Sequence, residues 1–324
     1  MMDRRAFITV VGGSVLAAPF MGEAEPARLY RVGIVLQGGD YLAAVGGLRD
    51  GFRELGFEEG QQLVLHVRDV KGDLKSVDAV AQGLEREKVD LIYSLATPVT
   101  LTVKRATTRV PIVFYAGTDP VTVGLVESFR KPGGRLTGIH GHFTDMTAKR
   151  LELLKEMVPQ VRRPLVFYNP ANPAAQESLK LAREAARQLE LKLVERPVAS
   201  VEELRAGLHA LRPGEADALT IVSDAMVVSR LDLLVEAAMA KRLPSMLTDR
   251  ASVAGALAGM GENYYTIGRL SAKLIERVLR GANPGDLPVE QLDRLHFVIN
   301  LRTAKALGLT IPQSILTRAD EIIQ

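Results

Sequence analysis

Thr97-Pro98 is the pair in this sequence whose types and spacing best suit chemistry, because it reads as a helix N-cap followed by proline at the first helical position. Free backbone N–H groups and the positive end of a helix dipole gather at such a start, an arrangement that suits a carboxylate. The plain alternative is that every helix needs a cap. Thr118 and Asp119 repeat the arrangement one strand later, offering a hydroxyl to share the carboxylate and an acid to accept from an ammonium group, although Asp119 reads equally well as a simple cap. Asp224 is the candidate expected to reach a ligand only when two halves of the molecule close on it; its other reading is a solvated N-cap. Asn169 and Asn172 have the ordinary roles of turn and cap, with ligand contact as the functional reading of Asn169. Tyr41, Tyr115, Tyr168 and the pair Tyr264-Tyr265 stand beside the same segments and are suited to wall a pocket for an apolar or aromatic group.

Other chemistries find no support. The absence of cysteine removes thiol nucleophiles, disulfides and thiolate metal sites. His140 and His142 form an H-x-H pair without a nearby Cys or an HExxH spacing, and read as the surface of a strand before a metal site. No GxSxG elbow, Walker loop or GxGxxG occurs, and Glu58-Glu59 reads as a solvated turn. No catalytic residue, metal or cofactor is therefore expected. The 41 Lys and Arg residues are scattered among 38 Asp and Glu, net +3, so no stripe for nucleic acid is drawn.

The elements that must position these residues alternate along the chain. Short β-branched apolar runs at 32–36, 63–67, 90–95, 111–115 and 136–140 are separated by helical periodicity, the signature of a parallel sheet. The pattern restarts with a helix at 146–158 and strands at 165–168, 191–194, 218–222 and 245–248, with helix starts marked by Asn172-Pro173 and by a Ser200/Glu203 capping box. The fold class expected is α/β, with two doubly wound parallel-sheet lobes joined by hinge strands near 138–143 and 254–261. Residues 30–140 plus about 262–282 are assigned to the first lobe and 141–258 to the second, leaving 283–324 unassigned. In open α/β sheets ligands bind beyond the carboxyl ends of the strands. That rule gathers Gln37, Asp40 and Tyr41, then Ala96, Thr97 and Pro98, then Gly117, Thr118 and Asp119 in the first lobe, and Tyr168, Asn169, Ser223, Asp224 and Asp249 in the second.

Before all this stand Arg4-Arg5, Phe7 and an apolar run over 8–21 that is interrupted by Gly12, Gly13 and Pro19 and is too short to span a bilayer. It resembles a twin-arginine export signal, with cleavage expected after Ala24 and a periplasmic destination.

Several stretches carry a family resemblance: 51–57 (GFRELGF), 96–98 (ATP), 111–114 (PIVF) with Asp119-Pro120, 131–134 (KPGG), 149–154 (KRLELL), 168–170 (YNP) and 298–309 in the tail. On these the chain resembles, nearly end to end, the bacterial ABC-transporter substrate-binding proteins of the tryptophan/tyrosine type, which have the type I periplasmic-binding-protein fold. The resemblance implies a monomeric, non-enzymatic protein that closes on a small carboxylate-bearing solute, an amino acid or an aromatic or branched acid, and delivers it to permease subunits. The weaker alternatives are an enzyme on the same fold and a ligand sensor without a permease. Relatives carry tyrosine-glycine-proline where this chain has Met260-Gly261-Glu262, so the cleft floor is expected to differ there.

Overall fold

The computed structural model describes residues 28–292 and 295–324; the expected export signal lies outside the described residues. The first sheet is laid down by β1 (Tyr30–Leu36), α1 (Leu42–Glu54), β2 (Leu63–Asp69), α2 (Val77–Arg86), β3 (Leu91–Leu95), α3 (Thr97–Ala106), β4 (Ile112–Ala116) and β5 (Leu136–His140). The chain then builds the second lobe with α4 (Met146–Met157), β6 (Pro164–Tyr168), α5 (Pro173–Gln188), β7 (Val194–Pro197), α6 (Val201–Ala210), β8 (Ala218–Thr220), α7 (Ala225–Val228), α8 (Leu231–Ala240), β9 (Ser245–Leu247), α9 (Asp249–Ala254) and β10 (Ala258–Gly261). It returns with α10 (Tyr264–Leu279) and β11 (Glu290–Gln291), and crosses again to β12 (His296–Asn300), α11 (Leu301–Leu307), α12 (Gln313–Leu316) and β13 (Glu321–Ile323).

The first sheet runs β11-β5-β4-β3-β1-β2 and the second β13-β12-β10-β9-β8-β6-β7. Among the described residues every strand pairing is parallel except β10 with β12, so the architecture is the α/β pair of doubly wound sheets read from the sequence. Strands β3, β4 and β5 are buried at every position, as strands must be when helices cover both faces of a sheet.

Three expectations shift. The strand read at 191–194 lies at Val194–Pro197, because Leu191 instead closes a Schellman turn: Glu190 adopts φ 55° and the Leu191 N–H donates to Ala186 O at 2.8 Å. The apolar stretch read as a crossing at 254–261 contains β10 itself, and the chain leaves the second sheet only after Gly261. The tail left unassigned divides, β11 pairing with β5 while β12 and β13 extend the second sheet. Three crossings therefore join the lobes, beyond His140, beyond Gly261 and between β11 and β12. The returning helix α10 is anchored by close approach to α1, where a Cβ on Gly268 would lie 1.9 Å from Ala44 O and one on Gly47 1.8 Å from Tyr265 O.

Candidate functional site

At the end of β3 the chain must turn sharply into α3, and Ala96 takes up that turn at φ 87°, ψ 144°, a backbone region costly for any residue with a Cβ. Its N–H donates to Tyr115 O at 3.0 Å, and its carbonyl accepts from Thr100 Oγ1 at 3.0 Å. Ala96 is thus the N-cap, and Thr97 and Pro98 occupy the first two helical positions, one residue on from the sequence expectation. The consequence favours binding: the Thr97 hydroxyl is not engaged in capping, and the first-turn N–H groups of Thr97 and Val99 have no intrahelical acceptor.

Across the gap between the lobes Asp224 caps α7, its carboxylate accepting from Asn169 N at 2.7 Å, Met226 N at 3.0 Å and Val227 N at 3.1 Å. It is 1% exposed, so it is a buried cap and not the solvated one the sequence allowed. Burial pushes its carboxyl up from the ordinary 3.8 while those N–H groups pull it down. Ser223 is held by its N–H to Ser178 Oγ at 2.9 Å. Between the two sets lies a cavity of about 10 Å³ lined by Tyr41, Ala96, Thr97, Pro98, Tyr115, Gly117, Phe143, Ser223, Asp224, Ala225 and Val228.

Seven of the fourteen sequence candidates line this cavity: Tyr41, Ala96, Thr97, Pro98, Gly117, Ser223 and Asp224. The others go elsewhere. Thr118 Oγ1 pairs with Thr144 Oγ1 at 2.8 Å, and Asp119 accepts from Val121 N and Thr122 N at 2.8 and 3.0 Å, because a turn and not a helix follows β4. Asp249 sits 3.5 Å from His296, and Tyr168 ends β6 away from the cavity. Gln37 and Asp40 line a side pocket of about 460 Å³, and among the described residues the buried Gln37 Oε1 has no hydrogen-bond partner. Asp40 reaches from the first lobe to the second, 3.4 Å from both Thr248 Oγ1 and Arg250 Nε; burial raises its carboxyl and Arg250 lowers it. Asn169 lies in the floor of a wider, open groove of about 800 Å³ that also touches Pro98 and is rimmed by Lys71, Lys75, Arg105 and Glu202.

The tyrosines sort in the same way. Tyr264 lies 4.8 Å from Tyr41 and 5.6 Å from Tyr115, centroid to centroid, the latter pair edge to face. Its hydroxyl is buried and its approach to Tyr41 falls short of hydrogen-bond geometry. Tyr265, next in sequence, is exposed and donates to Asp50 at 2.7 Å.

Two residues missed in the sequence hold the floor together. Glu262, 1% exposed on the second crossing, accepts from the Tyr115 hydroxyl and from the His142 N–H on the first. Arg150, fully buried on α4, donates to Met260 O at 3.1 and 2.9 Å and to Phe143 O at 3.3 Å, and its guanidinium lies 4.2 Å from the centre of the Phe143 ring. Burial pushes Arg150 down to about 10, which leaves it charged at neutral pH. Burial also pushes the Glu262 carboxyl above its ordinary 4.5, against the pull of Tyr115, His142 and Arg150. A carboxyl raised in the folded state binds more protons folded than unfolded, so stability falls as pH climbs from 4.5 through the raised value. Glu262→Gln removes that titration, and its melting temperature is expected to gain on the unsubstituted protein's as pH climbs from 4.5 through the raised value. Melting curves across that range check it, and a constant difference would show that Glu262 does not titrate there.

A family model described as ABC transporter substrate binding protein matches residues 31–323. The chain belongs to that family. A "Tyrosine-binding protein" of Clostridioides difficile (strain R20291) is 30% identical over 255 residues, which cover 78% of this chain and 73% of the relative. A streptococcal structure described as an ABC domain in complex with L-Trp, from Streptococcus pneumonia, is 25% identical with a TM-score of 0.81, covering 91% of this chain and all of the other. A substrate binding protein with adhesive properties from Clostridium difficile, solved in a ligand-free, open form, is also 25% identical over 91% of this chain and 100% of its own, with a TM-score of 0.60. As a substrate-binding protein of the ABC transporter family, the chain has a small-molecule ligand and transporter subunits as its partners. Among the described residues no helix is long and apolar enough to cross a membrane.

Proposed function

We propose that this substrate-binding protein captures an amino acid with an aromatic side chain between its lobes, in the periplasm, and presents it as a monomer to the permease of an importer. The observation that carries the reading is convergence. The free first-turn N–H groups of α3 and the Thr97 hydroxyl meet Tyr41 and Tyr115, which Tyr264 backs, at one interlobe cavity, which supplies a carboxylate partner beside aromatic walls. The names of the two amino-acid-binding relatives support the same solute class.

A cavity of about 10 Å³ holds at most one water, so the described arrangement is closed too far for a guest. At equal identity the chain follows the L-Trp complex better than the open, ligand-free relative, which fits closure. Solute must then enter as the lobes part, breaking the Asp40 contacts to Thr248 and Arg250, and is held when they close around it. An export signal of the twin-arginine type, read over 1–24, fits that location.

A thermal-shift screen tests the proposal. L-Tyrosine or L-tryptophan at 100 times its Kd is expected to stabilise the protein by about 2.7 kcal/mol, whereas tyramine, which lacks the carboxylate, and ribose shift nothing. Stabilisation by ribose, or by tyramine as strongly as by tyrosine, would overturn the carboxylate assignment.

A further inference from the structure

The first crossing carries a side-chain cluster that the solute site does not use. His140 closes β5 and His142 follows two residues later, so the two rings fall on the same side of the strand, their centroids 5.0 Å apart. Asp145, just before α4, brings its Oδ2 to 3.1 Å from His142 Nδ1. One ligand atom from each of the three lies within 4.8 Å of the others.

We propose that His140, His142 and Asp145 form a binding site for a divalent transition-metal ion of the zinc type, set where the chain passes from the first lobe to the second. His140 Nδ1 lies 3.3 Å from the Ala116 carbonyl; with the proton on that nitrogen the Nε2 lone pair is left for a metal, the usual outer support of a ligating imidazole. Two imidazoles and one carboxylate select zinc, cobalt or nickel over calcium and magnesium, which take all-oxygen sites. Three protein ligands leave a fourth position for water. Asp145 and His142 are solvent-accessible, 65% and 34% exposed at the side chain, so the ion has a way in and Asp145 has room to adjust.

Isothermal titration of the tag-free chain with zinc chloride, in a buffer that does not chelate, tests the site. One zinc per chain is expected, with affinity reduced more than about tenfold by His142→Ala and also by Asp145→Asn. His296→Ala serves as the control, since His296 also stands beside carboxylates, those of Asp249 and Glu321; it is expected to leave the affinity unchanged. Cobalt(II) in place of zinc should give the visible absorption of a low-coordinate site, lost in His142→Ala while the melting temperature is retained. Absence of zinc binding, zinc binding that survives both hinge substitutions, or binding lost in His296→Ala would each overturn the proposal.

Discussion

Replacing Arg150 with methionine is expected to destabilise the folded protein by about 3–5 kcal/mol, the range for breaking one side of a buried charged network. The size of methionine is adequate; its chemistry is not. The Met260 and Phe143 carbonyls lose their guanidinium donors, the Phe143 ring loses the cation beside it, and Glu262 loses the buried arginine whose field favours its ionised form. Because the Phe143 carbonyl lies on the first crossing and the Met260 carbonyl at the end of β10, just before the second, the damage falls on the joint between the lobes. Urea unfolding of the variant measures it, and a loss below about 1 kcal/mol would mean that the joint does not depend on this arginine.

Gly268→Val is expected to cost more than about 3 kcal/mol, at or beyond the upper end of the overpacking range. A Cβ on Gly268 would meet Ala44 O at 1.9 Å and Leu48 N at 2.8 Å, both backbone atoms of α1 that cannot turn aside. The helices must separate, and any gain in helix propensity on losing a glycine, about 1 kcal/mol at most, cannot offset that. Since α10 begins at Tyr264, its displacement also moves one ring of the aromatic cluster, so the variant is expected to lose response to aromatic amino acids together with stability. Melting temperature and yield report the first effect and the thermal-shift screen the second; a variant melting within a degree of the parent would contradict the tight helix contact.

Local signals were read correctly where one residue decides the geometry. Asn172 accepts from Ala174 N at the start of α5, and Ser200 and Glu203 cap α6, as their spacing predicted, although Glu203 reaches the N–H of Ala199 and not that of Ser200. The end of α5 was hidden because Glu190, and not a glycine, takes the left-handed turn. Half of the strand-end candidates reach the cavity because β3 and β8 lead within a few residues into helices there, and Thr118 and Asp119 do not because β4 runs into a long irregular segment. Arg150 and Glu262 escaped for a different reason: the Met260 partner of Arg150 and the Tyr115 and His142 partners of Glu262 lie 110 and more residues away, a distance no local pattern spans. Arg150, inside a Lys149-Arg150-Leu151 run, reads as ordinary helix charge. The only signal for Glu262 was its departure from the proline of related sequences.

Crystals grown with L-tryptophan or L-tyrosine offer the most direct trial of where this protein holds its solute. Density is predicted between Ala96–Pro98 and Ser223–Ala225, with the carboxylate at the first turn of α3, the ring among Tyr41, Tyr115 and Tyr264, and the lobes set wider than in the present arrangement. Solute seated instead in the open groove rimmed by Lys71, Lys75 and Arg105, with the inner cavity still shut, would contradict the account.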